Sequence, residues 1–322
     1  MITYRATLDV PAATVFQVSR WLAAHRTRHD ARPWQRAATP YAQAMMVLRW
    51  FKEATDLRIL ARDAAVSIAT AYRYLHEAID VIAAHAPDLS DVLAEGLRLG
   101  WVFVCLDGTL IGSTRSAALS EAGHDVWYSG KHKRHGGNIQ VLTCPTGYPE
   151  WVSDVEPGST HDITAARHHA LPALYPAAAQ GLPTLTDKGY TGAGIGIIVP
   201  TKGHNLAPDN QTRNTLISAL RAPAERANAL LKRTWKALER VTLDPWRIGA
   251  ITAAAPRPTP PSTTNPVRKP HCLGYCGHGE LLFGEGLGSL AHLETKCRVG
   301  QQPPDGIRQV VDAVRDDDAH PS

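Results

Sequence analysis

The sequence predicts an α/β protein: a mixed β-sheet flanked by helices, preceded by an all-helical N-terminal region. Three observations carry this. Residues 1 to about 95 place apolar side chains at helical intervals. From about 100 to 255, short apolar runs alternate with turns and helices. At residue 256 the texture changes to "PRPTPPSTTNPVRKP", which suits neither a regular helix nor a central strand. The expected organisation is a helical region over 1–95, an α/β domain over 96–255 and a Pro/Gly-rich tail over 256–322 ending in "DDDAHPS".

Composition narrows the class. The chain has 322 residues, 44% of them hydrophobic and 20% charged, enough to build a core and too few charges for wholesale disorder. A net charge of +4 permits a nucleic-acid partner without requiring one. Five cysteines, an odd number, and no N-terminal signal pattern lead us to expect a reducing cytoplasm. No apolar run reaches the roughly 18 residues a membrane helix needs, so no membrane association is expected.

In the helical region, "DLRILARDAAVSIATAYRYLHEAIDVI" predicts a helix from about Leu57 to Ala64, a turn over Ala65, Val66 and Ser67, and a second helix from Ile68 capped by Ser67. That is the layout of a helix-turn-helix, with Thr70, Arg73 and Tyr74 as exposed reading residues; an ordinary helical hairpin is the alternative. Next, "WVFVCLD" predicts a strand ending at Asp107. Two strands over Ile139–Cys144 and Glu150–Val155 are joined by "PTGYP". "THDITAARHHALPAL" predicts one helix, "LPTLTD" a short strand ending at Asp187, and Ile195–Pro200 another strand. A long helix from Gln211 to Glu239 is bent or interrupted near Pro223. This order is that of an RNase H-like mixed sheet.

In that order Asp107, Asp187 and Glu225 meet at one edge. Each alone reads rather as a turn residue or a surface charge than as a ligand. Together they form an oxygen-only donor set of the kind that binds Mg²⁺. Two such ions about 4 Å apart serve in-line phosphoryl displacement. Asn228, Lys232 and Lys236 follow Glu225 along one helical face, with Arg221 one turn before it if the helix passes Pro223 unbroken. "SGKHKRHGGN" supplies Lys131, Lys133 and Arg134 in a Gly-rich loop, and Trp127 and Tyr128 either stack on a base or cover the sheet edge. Lys188 can meet a phosphate, and Tyr190 packs or stacks at the rim. His161 and Asp162 are read as supporting groups near the acids, with helix capping open for Asp162. His168 and His169, adjacent on a helix, are expected to diverge and not to act as a metal pair.

"LDGTLI", "YSGKHKRHGGNIQVL", "PGSTHDITAAR", "LTDKGYTG", "VPTKGHN" and "LRAPAERANALLKRTWKAL" together resemble the DDE-superfamily transposases of bacterial insertion sequences, in the branch with an N-terminal helix-turn-helix. The likeness covers about residues 40 to 255. It implies that Asp107, Asp187 and Glu225 are the three catalytic acids and bind two Mg²⁺ or Mn²⁺ ions. It also implies double-stranded DNA as partner, both transposon ends and target, a homo-oligomer on DNA, and a place at the nucleoid. It further implies that after "DPWRIGAITAAA" an apolar helix continues. The abrupt tail therefore reads as out-of-frame or unrelated sequence. An alternative follows: a defunct remnant that only binds DNA. His271, Cys272, Cys276 and His278 superficially resemble a zinc knuckle but lack a second ligand pair.

Overall fold

The computed structural model describes residues 8–255, and the readings made for the tail and its cysteines lie outside the described residues. The N-terminal region holds α1 (Ala12–Arg28), α2 (Pro40–Glu53), α3 (Leu57–Asp63), α4 (Ile68–Ala83) and α5 (Leu89–Arg98). Side-chain caps start three of them: Thr39, Asp56 and Ser67 accept from Ala42, Arg58 and Thr70 N–H groups at α2, α3 and α4. Between α3 and α4 the chain reverses through Ala65 at φ 52°, so the two helices and their turn fall as the sequence predicts. Among the described residues no helix is long and apolar enough to cross a membrane.

Tyr74 corrects the reading of α4. It is 3% exposed, in the buried stripe of Ala71, Leu75, Ala78, Ile79 and Ile82, rather than on the outer face. Arg26 and Arg36 lie over its ring, 5.7 and 5.1 Å from the centroid. Outward from the same helix point Arg73 and Tyr72, with Thr70 half-buried.

The sheet begins with β1 (Val104–Gly112), β2 (Tyr128–Ser129), β3 (Arg134–Thr143), β4 (Pro149–Val152) and β5 (Glu156–Pro157). Then come α6 (Asp162–His169), α7 (Leu171–Ala179), β6 (Thr184–Leu185), β7 (Ile197–Ile198), α8 (Pro208–Thr234) and α9 (Ile248–Ala254). β1 pairs antiparallel with β3 on one side and parallel with β6 on the other, and β7 adds parallel to β6. β2, β5 and β4 line the outer edge of β3. Taking that broken edge as a third strand, the spatial order is third, second, first, fourth, fifth, an RNase H-like mixed sheet flanked by helices.

Several boundaries differ from the expectation for physical reasons. β1 does not stop at Asp107 but runs to Gly112, because β3 pairs with it along its whole length. The predicted helix after β5 is two helices broken at Ala170: Pro172 lacks the N–H that would bond back to His168. β6 ends at Leu185, two residues before Asp187. α8 passes Pro223 without interruption but ends at Thr234, leaving Lys236 in a 3₁₀ turn beyond the helical stripe assigned to it.

One face of the sheet packs Val104, Leu106 and Leu142 against α5 and α7. The opposite face is shared. Near the start of β1, Phe103 and Cys105 lie with Ile217 and Ala224 of α8. Toward the far end Ile111, Ile139 and Val141 join Leu238, Ile248 and Ile251 in one cluster with the cores of α1 to α4. Trp127 and Trp246 meet edge to face, centroids 4.8 Å apart, so Trp127 covers the core.

The turn between β3 and β4 seats α8. Gly147 has φ 83°, and a Cβ there would lie 2.5 Å from the Pro223 carbonyl. Gly147→Ala is expected to lower stability by about 1–3 kcal/mol, read from the urea midpoint, since both backbone strain and contact oppose it.

Candidate active site

β1 alternates its side chains between two faces, and α8 claims those of Asp107 and Thr109. Asn228 Nδ2 donates to Asp107 Oδ2 at 2.8 Å, and Lys232 Nζ donates to Thr109 Oγ1 at 2.6 Å. Arg221, one turn before Glu225 and only 7% exposed, places Nη2 3.6 Å from Asp107 Oδ1 and Nη1 3.5 Å from Glu225 Oε1. One guanidinium thus lies between two of the three acids. Glu225 itself is 62% exposed and faces outward from the helix.

Asp187 follows the short β6 where the chain turns. Its Oδ1 accepts from the Gly189 N–H at 2.8 Å, capping the 3₁₀ turn Lys188–Tyr190. The acid is half-buried, near enough that its charge acts on Asp107, Lys131 and Tyr190. Asp187 is thus a turn cap whose charge reaches Asp107.

Gly108 faces the other way, and a Cβ there would overlap Asp162 Oδ1. Asp162 approaches β1 from the face opposite α8. Asn138 Nδ2 donates to its Oδ1 at 2.8 Å and Lys131 Nζ to its Oδ2 at 2.9 Å, and it makes no capping bond on α6. Beneath it, Tyr190 is fully buried rather than at a rim, its OH donating to Gln140 Oε1 at 2.6 Å. Asn138 and Gln140, alternate positions on β3, escaped the sequence reading. Their signal was faint: two amides in a run of otherwise apolar and glycine residues where a strand should be apolar.

Among the predicted basic residues, Lys131 reaches the site through Asp162, and Lys232 through Thr109. Arg134, on the first residue of β3, lies close enough to Lys232 to act on its charge. Burial and Arg134 hold the Lys232 pKa below its ordinary value. Lys133, Lys188 and Lys236 are exposed and meet none of the acids by ion pair or hydrogen bond among the bonds described. Thr70 and Arg73 lie on α4, away from these residues in sequence and fold.

The Asp107 pKa is raised from 3.8 to about 6, chiefly by burial, with Asp187 and Asp162 adding to it and Arg221 and Asn228 opposing it. Beside it Asn228 Oδ1 is a buried acceptor without a partner. A half-buried carboxylate with two further acids acting on it, next to an unsatisfied oxygen, suits a hard divalent cation with its bound water. The oxygens of Asp107, Asp187 and Glu225 are not all within 4.8 Å of one another. Among the described residues that spacing is met by Glu156, His168 and His169. Contrary to expectation, the two histidines converge: His168 Nδ1 and His169 Nε2 both bond Glu156 Oε1, at 3.0 and 2.8 Å.

Residues 106–255 match the DDE superfamily endonuclease family, and the matched segment contains Asp107, Asp187 and Glu225. Among solved structures, the Mos1 transposase paired-end complex with left transposon end is similar at 14% identity over 77% of this chain and 85% of that one. Its TM-score is 0.19, at which the likeness carries no weight. No curated protein matches the chain.

Because its carboxylate is more easily protonated when folded, Asp107 stabilises the fold only below pH 3.8, and that contribution is lost as pH rises to about 6. Asp107→Asn removes this penalty. It is expected to raise stability above pH 6 by up to about 3 kcal/mol in EDTA, with the gap closing below pH 4. Thermal melts across pH check both the sign and the window.

Proposed function

We propose that the chain is a DNA transposase whose endonuclease domain cuts the ends of its element and joins them to target DNA. The observation that carries this is the half-buried Asp107 held under α8 by Asn228, with Arg221 placed between it and Glu225 and with the charge of Asp187 acting on it, inside the matched endonuclease segment. Asp107, Asp187 and Glu225 would hold Mg²⁺ or Mn²⁺, which when bound activates the attacking oxygen and offsets charge on the leaving one.

The protein's own groups prepare that chemistry. Arg221 balances Asp107 and Glu225. Asn228 fixes the Asp107 carboxylate by donating to Oδ2 and leaves its own Oδ1 free to accept from water. Lys232, Lys131 and Arg134 offer cations to a DNA backbone that passes over the end of β1. Lys188 and, further along, Lys133 and Lys236 extend that basic border. We assign end recognition to residues 1–95. The outer face of α4, with Thr70, Arg73 and Tyr72, is presented for a major groove. Two ends cut together call for a homo-oligomer on DNA. A second reading, a remnant that binds ends without cutting, is favoured by the abrupt change of composition at residue 256.

A labelled duplex carrying the element's own ends, incubated with Mg²⁺, Mn²⁺ or EDTA, tests both. Metal-dependent nicking is expected. Asp107→Asn, Asp187→Asn and Glu225→Gln should each lower it by about three orders of magnitude or more while sparing binding. If all three cut at the parental rate, the site is elsewhere; specific binding without nicking by the parent supports the remnant. Independently, Arg73→Ala is expected to weaken end binding by about 1–3 kcal/mol in a titration against matched and scrambled duplexes. Unchanged affinity and preference would remove α4 from recognition.

A further inference from the structure

The C-terminal end of α6 carries His168 and His169, and both rings turn to one carboxylate on β5. Residues adjacent on a helix project about 100° apart, so convergence needs a compensation. The two rings supply it by using different nitrogens: His168 offers its near Nδ1 and His169 its distal Nε2, with ring planes 80° apart. Glu156 stands opposite Asn138 in the sheet register, so its side chain shares the face on which α6 lies. His169 and Glu156 are 22% and 20% exposed, while His168 is 57% exposed. Burial pushes the Glu156 pKa up, yet hydrogen bonds from the two imidazoles outweigh it and leave the carboxyl below its ordinary value.

We propose that Glu156, His168 and His169 bind one first-row transition-metal ion of the zinc class, fastening the end of α6 to β5. Two imidazoles and a carboxylate make a three-protein-ligand set that leaves a fourth position for water. Ligand atoms about 2.0–2.1 Å from a tetrahedral ion lie roughly 3.4 Å apart. The observed 2.8 and 3.0 Å nitrogen–oxygen separations need to open by about half an ångström, and the two ring nitrogens lie within 4.8 Å of each other. Nitrogen donors disfavour Mg²⁺, so this site is chemically separate from the oxygen-only acids of Asp107, Asp187 and Glu225. The two are linked mechanically, because the opposite end of α6 carries Asp162 against Gly108. A metal at the histidines thus stiffens the helix that holds Asp162 and Lys131 in place.

The test uses the full chain with Cys272→Ser, Cys276→Ser and Cys297→Ser, which removes every thiol outside the described residues. Zn²⁺ is titrated calorimetrically, and Co²⁺ is followed by its visible absorption. The expected result is one equivalent of Zn²⁺ that persists when the Asp107–Asp187 acid site is removed, a higher melting temperature with Zn²⁺ and cobalt bands of a nitrogen–oxygen site. Binding should be retained in Asp107→Asn/Asp187→Asn and weakened at least about tenfold in His169→Ala. No binding by the parent chain, or equal binding by His169→Ala, overturns the proposal and leaves the trio an ion pair. If His169→Ala melts early in EDTA, the exposed His168→Ala carries the same comparison.

Discussion

A carboxylate held under a helix must find partners, and nearly everything about the candidate site follows from how α8 supplies them to Asp107. Asn228 and Arg221 lie on one face of that helix, seven residues apart, and both reach the same acid. The arrangement works only because α8 continues through Pro223. Had the helix broken there, Arg221 and Asn228 would belong to separate segments with independent orientations. The missing N–H of Pro223 is tolerated where the β3–β4 turn presses Gly147 against it. A hairpin on one edge of the sheet therefore helps set the register of a helix lying across its centre.

The helical region is not insulated from the sheet. Ile111, Ile139 and Val141 share a cluster with the buried faces of α2, α3 and α4, and α9 lies within it. Arg247, just before α9, pairs with Asp80 of α4 at 2.7 Å. On the other side, Phe51 of α2 meets Trp235 at the end of α8, centroids 6.2 Å apart. The helix that carries Glu225 is thus packed at its end against the helices that precede the sheet. A displacement of either is felt by the other because packed interiors transmit strain.

Much of this was legible in the residues. Apolar runs and turn signals locate β1, β3 and the strand order, and Ser67 marks the start of α4 correctly. Three of the corrections have causes that sequence does not carry. Tyr74 was placed outside because an aromatic with a hydroxyl suits either face, and only the neighbours of α4 decide. Asp107 was placed at a strand end because an acid followed by glycine usually turns, whereas here β3 continues to pair and the glycine instead admits Asp162. His168 and His169 were read as divergent because helical angles ignore which ring nitrogen is used. Asn138, Gln140 and Asp162 form a polar layer that depends on tertiary pairing: Asp162 was read as a supporting group, while the two amides left only a faint signal.

The position of α9 has a bearing on how the molecule comes to be folded. The last helix described supplies Ile248, Ile251 and Ala254 to the apolar cluster that α2, α3 and α4 began some two hundred residues earlier in the chain. As a polypeptide leaves the ribosome, its N-terminal helices emerge first, yet the surface they bury against is made last. Until residues 248–254 arrive, the part of the α4 surface that α9 covers remains wet. A nascent or truncated product stopping short of α9 would therefore display a hydrophobic seam, a natural target for chaperones and proteases.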